Sequence, residues 1–124
     1  MKTIVIAGLA TTAAALAPAA ALGKDGDVER TGSCTGNSSA KLKLSPDDGR
    51  IETEFEVDQN RRGVRWTVTL RRNGKRVVRT HATTREASGS FSLERRLADG
   101  AGRDTIRARA VSPSGEVCTA RAAL

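Results

Sequence analysis

Aromatic side chains are scarce: two phenylalanines, one tryptophan and no tyrosine in 124 residues. There is one histidine, His81, and there are only two cysteines and three prolines. Each scarcity removes a class of function. Single-strand nucleic-acid binders interleave stacking rings with positive charge, and too few rings are available for such a platform. A serine hydrolase needs a histidine held between a carboxylate and a serine. His81 follows a short edge-like segment and no G-x-S-x-G occurs, so it reads as an exposed polar residue. Neither cysteine has a histidine near it and no C-x-x-C occurs, which leaves zinc and redox chemistry without their usual ligand sets. The sequence therefore predicts no enzyme, no cofactor and no metal.

A strongly apolar run is also missing. Residues 3–23 are uncharged, but they are mostly alanine and are interrupted by Pro18. That is weak for a membrane anchor. The positive start Met1-Lys2, the small residues Pro18-Ala19-Ala20-Ala21 and the return of charge at Lys24 match a secretory signal peptide instead. Removal of residues 1–21 is expected, giving an extracellular protein with no remaining membrane span. Cys34 is separated from the apolar run by the charged residues 24–30, so it does not read as a lipid anchor. In an oxidising compartment Cys34 and Cys118 read as one disulfide tying the start of the domain to its end.

What is abundant is arginine and alternation. The formal charge is +7, and it falls to +6 once the signal peptide takes Lys2 away. Net charge by itself speaks to nonspecific attraction, and a GC-rich genome also enriches arginine. Apolar and polar residues alternate in Ala40-Lys41-Leu42-Lys43-Leu44, in Ile51-Glu52-Thr53-Glu54-Phe55-Glu56-Val57 and in Val64-Arg65-Trp66-Thr67-Val68-Thr69-Leu70-Arg71. Period two means strands with one buried face. Weaker segments follow at 75–81, 89–97, 103–111 and 116–123, which makes seven strands. Tight turns are expected at 45–49, at Asn73-Gly74 and at 112–115, and longer links at 58–63, 82–88 and 98–102.

The division is a signal peptide at 1–21, a linker at 22–37 and an all-β sandwich at 38–124. The expected core is Leu42, Leu44, Ile51, Phe55, Val57, Val64, Trp66, Val68, Leu70, Phe91, Leu93, Ile106, Ala108 and Ala110. Arg95 does not fit, because it shares the inward parity of Phe91, Leu93 and Leu97; a bulge or an early strand end would resolve it.

Tight turns alternating with longer links, over roughly residues 34–124, resemble a fibronectin type III-like or immunoglobulin-like sandwich, in which hairpins stay within a sheet and longer links cross. The chain is also similar to small secreted actinobacterial proteins of unknown function, through Gly32-Ser33-Cys34, Gly49-Arg50-Ile51-Glu52, Val57-Asp58-Gln59-Asn60, Ser88-Gly89-Ser90-Phe91 and Ser112-Pro113-Ser114-Gly115-Glu116-Val117-Cys118. That resemblance implies secretion and a β-domain and carries over no catalytic residue.

Carboxylates offer little chemistry. Glu52, Glu54 and Glu56 form a row on one strand face, opposite Lys41 and Lys43, whereas a glycosidase places two carboxylates across a cleft. Asp47-Asp48-Gly49 lacks the further oxygen ligands of a calcium loop. Asn37-Ser38-Ser39 matches a glycosylation sequon, a short pattern that a polar loop also produces.

The distinctive feature is charge segregation. Arg65, Arg71, Arg103, Arg107 and Arg109 are expected on one outer sheet face with Thr67, Thr69 and Thr105 and no acid. The other face mixes Lys41, Lys43 and Arg96 with Glu52, Glu54, Glu56 and Glu94. Of Arg76 and Arg79, whose parities are opposite, at most one is expected to join the arginine face. Guanidinium groups hold phosphate and carboxylate through paired donors. The expectation is a monomeric binding or adhesion module for an anionic cell-wall polymer or an acidic protein, with nucleic acid disfavoured. The alternative is a small protease inhibitor presenting Arg61-Arg62 from the 58–63 loop.

Overall fold

A computed structural model describes residues 26–85 and 87–124, so the expected signal peptide lies outside the described residues. The described residues form nine strands: β1 (Val28–Thr31), β2 (Ser33–Cys34), β3 (Ser39–Asp47), β4 (Arg50–Asp58), β5 (Arg65–Arg72), β6 (Lys75–Thr83), β7 (Ser90–Ala98), β8 (Thr105–Val111) and β9 (Val117–Ala123). They form two antiparallel sheets, ordered β1-β3-β4-β7 and β2-β9-β8-β5-β6. The fold is all-β. None of its described elements is a helix able to cross a membrane.

The count of seven strands needs correction. The seven are β3 to β9, and the two further strands lie within residues 22–37, which read from the sequence as a linker. Val-Glu-Arg-Thr and Ser-Cys are too short and too polar to show alternation; pairing with existing strands makes them strands. β1 pairs with β3, and β2 pairs with β9. Gly32 lies between them, where the chain passes from one sheet to the other. A Cβ there would strike the Thr119 carbonyl, so only glycine fits without a shift.

The turns explain the topology. β3 and β4 meet through Asp48 and Gly49, with φ of 46° and 74°, and β5 and β6 meet through Asn73 and Gly74, with φ of 51° and 84°. Paired positive φ values match the twist of a two-residue hairpin. The first turn is tighter than the expected 45–49, because β3 continues through Pro46 to Asp47. Pairing with β1 stops at Leu44, so Pro46 has an open side on which its missing N–H matters little. β8 and β9 form the third hairpin. The links at 59–64, 84–89 and 99–104 pass between the sheets.

Alternation then delivers the core. Leu42, Leu44, Ile51, Phe55, Val57, Trp66, Val68, Leu70, Ile106, Ala108 and Ala110 are all fully buried, and Phe91 and Leu93 nearly so. Val64 is only half-buried at the mouth of a link. The Trp66 ring sits 6.2 Å from Phe91, which in turn meets Phe55 edge-on. Its Nε1 donates to Gln59 Oε1 at 3.1 Å, so the one polar atom of the ring is satisfied. Thr53 shares the inward parity of β4 and is wholly buried, its hydroxyl donating to the Ile51 carbonyl at 3.4 Å.

Arg95 stands opposite Thr53 in an unbroken register, so there is neither a bulge nor an early strand end. β7 is the edge of its sheet, and Arg95 leaves past that open edge to solvent, donating from Nη1 to the Glu94 carbonyl at 2.8 Å. Its aliphatic stem can cover the core rim while the charge stays wet.

Cys34 and Cys118 form a disulfide within the β2–β9 register, 84 residues apart in sequence. Closing so long a loop removes on the order of 4 kcal/mol of unfolded-state entropy in the chain-entropy model.

Candidate anion-binding face

The outward positions of the second sheet fall into rows that cross the strands. Arg121 of β9 is the register partner of Arg107 on β8, Arg107 that of Arg71 on β5, and Arg71 that of Arg76 on β6. The next row runs Ser33, Thr119, Arg109, Thr69, Arg79. The third runs Val117, Val111, Thr67, His81. Arg65 lies one step further along β5, opposite Thr83.

Of the five arginines expected on this face, Arg71, Arg107 and Arg109 come together and Arg65 lies on the same face towards the other end. Arg103 does not join them. β8 begins at Thr105, and Arg103 sits exposed in the preceding link, outside the sheet register. Arg121 and one of the pair Arg76 and Arg79 were missed. Arg121 follows from the parity of β9, where Cys118, Ala120 and Ala122 point inward. Arg76 and Arg79 are both present, against the expectation of at most one. The register shifts between Leu70 and Arg71, so Leu70 pairs with Val78 while Arg71 pairs with Arg76. Val77 is the extra residue of this bulge and is 39% exposed. One inserted residue restores the parity of Arg76.

The face is dimpled rather than flat. A depression of about 480 Å³ is lined by Arg71, Asn73, Gly74, Thr105, Arg107 and Arg121. A second, of about 390 Å³, is lined by Arg71, Arg76, Arg79, Arg109 and neighbouring Thr67 and Thr69. Arg71 belongs to both. Among the described residues, the ion pairs are Lys41–Glu29 at 3.9 Å and Arg96–Asp47 at 2.6 Å, both on the first sheet. None of the arginines on the second face has an acidic partner among them.

The hairpin that carries this row is anchored from below. Asn73 Nδ2 donates to Asp104 Oδ1 at 2.9 Å, and Asn73 Oδ1 accepts from the Thr105 N–H at 2.8 Å. Asp104 is 2% exposed and exchanges backbone hydrogen bonds with Leu124. The Asn73 amide chiefly, helped by Asp99, the Gly100 N–H and Arg72 and opposed by burial, holds the Asp104 carboxyl below its ordinary range. The adjacent Asp99 is pushed up, first by its hydrogen bond with Asp104. Arg72 donates to the Ala98 carbonyl at 2.5 Å, so it serves the link rather than the face.

The other sequence candidates have structural partners. The sulfurs of Cys34 and Cys118 and a carboxylate oxygen of Glu116 lie within 4.8 Å of one another, but both sulfurs are bridged and Glu116 accepts from the Ser38 N–H and hydroxyl. His81 is exposed on the edge strand β6. In the 58–63 loop the Arg61 carbonyl accepts from Thr84 Oγ1 at 2.6 Å, and Gly63 donates to the Thr84 carbonyl. Gly89 abuts the Arg61 backbone so closely that a Cβ would collide with it. No protein-family model, curated protein or solved structure matches the chain.

Proposed function

We propose that the protein is a secreted, non-enzymatic binding module that recognises an anionic extracellular polymer or an acidic protein surface through the arginine face. Without β1 and β2 the sheets run β3-β4-β7 and β6-β5-β8-β9, three strands against four, with hairpins inside sheets and links between them. That order supports the fibronectin type III-like reading.

One observation carries the functional reading: registered arginines with no acid among them occupy interior strands. Like charges directly opposite each other destabilise a sheet. Positive charge on an edge strand has an ordinary use, because it discourages edge-to-edge pairing. That accounts for Arg76 and Arg79 on β6, the sheet edge. It does not account for Arg71, Arg107 and Arg109 on β5 and β8, which have neighbours on both sides. A multivalent anion would relieve the repulsion.

Retention on isolated cell wall should fall as salt rises. Replacing Arg65, Arg107 and Arg109 together by glutamine should release the protein at lower salt, and unchanged retention would remove the reading.

The inhibitor alternative draws on the bracing of the 58–63 loop by Thr84 and Gly89. The Arg61 carbonyl is already engaged, which leaves Arg62 to enter a trypsin-like pocket. Prompt cleavage after Arg62 without inhibition of trypsin would sink it.

A further inference from the structure

We propose that the ligand is a linear phosphate polymer, and that it lies across the strands along the Arg121–Arg107–Arg71–Arg76 row rather than parallel to them. This rests on the anion-binding reading above and adds the track, its direction and the ligand chemistry.

Direction follows from spacing. Along β5, the outward arginines 65 and 71 are separated by Thr67 and Thr69, a gap of about 20 Å. Across the strands, neighbouring guanidinium stems start about 4.8 Å apart, and four in a row span about 14 Å. Only the crosswise path offers an uninterrupted series of cations. It is bordered by the two depressions that share Arg71, and Thr105 on one side and Thr69 and Thr119 on the other place hydroxyls beside it.

Chemistry follows from the pairing. A carboxylate has two coplanar oxygens, both of which one guanidinium fork engages in plane. Adjacent guanidinium groups lining one depression suit an anion whose oxygens point in several directions, and phosphate is such a group. The rings that would stack on bases are absent, since Trp66 and Phe55 are fully buried and Phe91 is 6% exposed. The chain is then gripped by its anions alone.

The probe is long-chain inorganic polyphosphate, titrated into the full-length secreted protein at several salt concentrations, with orthophosphate, dextran sulfate and polyglutamate as comparisons. The expected result is binding to polyphosphate with a slope of log K against log salt near about −3, as four contacts to a flexible strand give. Arg71→Gln, Arg107→Gln and Arg121→Gln should each weaken binding about tenfold and lower the slope by about 0.7. Arg103→Gln, off the face, changes the net charge equally and should stay within about twofold of wild type, and Arg65→Gln, on the face but off the row, should weaken binding less than any of the three row variants. A loss at Arg65 equal to those in the row would overturn the track while leaving the anionic face intact. Tighter binding to dextran sulfate or polyglutamate would overturn the phosphate assignment. No binding to any polyanion at low salt would remove this proposal and the reading beneath it. Circular dichroism on each variant checks that the fold stays in place.

Discussion

On the first sheet Lys41 stands opposite Glu56, Lys43 opposite both Glu54 and Glu29, and Glu52 opposite Arg96. On the second, Arg107 stands between Arg71 and Arg121. Both outer faces belong to one small sandwich and share one core. The first shows the charge pattern that sheet stability favours, opposite signs in register. The second departs from it at consecutive positions. Folding alone therefore does not require the arginine row, and the contrast between the faces is the main argument for a ligand.

Removing what the two faces share should have the largest effect. Trp66→Ala should lower the unfolding free energy by roughly 3–5 kcal/mol, read by urea denaturation, and both faces should lose order together. A loss under about 1 kcal/mol would mean that Trp66 does not join the sheets as its contacts imply.

A second change damages one face selectively. Asn73→Ala puts a Cβ-only residue at φ 51° and breaks the bonds to Asp104 and Thr105. It should destabilise the protein by about 2 kcal/mol. Amide exchange should rise at β5, β6 and β8 and stay near wild type at β3 and β4. Uniform acceleration across both sheets would argue against a local anchor.

The smallest effect lies on the first sheet. Glu54 faces Glu94 in the register, an exception to its opposite-sign pattern. Partial burial, then hydrogen bonding and repulsion from Glu94, push the Glu54 carboxyl up, while Lys43 pulls it down. A raised folded-state pKa gives stability that is full below the ordinary carboxylate range and lost as pH rises through the folded value. Glu94→Gln should therefore stabilise the protein at neutral pH by about 0.3 kcal/mol, given solvent screening. The gain should vanish in acid; a gain that persists there would have another cause.

The sequence made the seven long strands and most of the core legible, because period-two alternation survives from Ala40 to Ala110; the inward Cys118, Ala120 and Ala122 of β9 were not read as core. The hairpin at Asn73-Gly74 was legible because both residues tolerate positive φ. Other features were not, for separate physical reasons. β1 and β2 have no pattern of their own and exist through their partners. Arg95 breaks parity only because an edge strand gives it a way out. Arg103 was assigned to a strand that starts two residues later. One of Arg76 and Arg79 was lost to a one-residue bulge between them, which reverses parity from one side of it to the other. The candidate face was thus half visible: its interior arginines could be read from alternation, and its outer members depended on register.

Arg107→Glu tests the central contrast most directly. It gives the second face the opposite-sign pattern of the first, between Arg71 and Arg121. If the row is maintained for a ligand against its own repulsion, the variant should unfold at higher urea, with a gain of about 0.5 kcal/mol, and should lose polyphosphate retention. Lower stability together with unchanged retention would contradict the account.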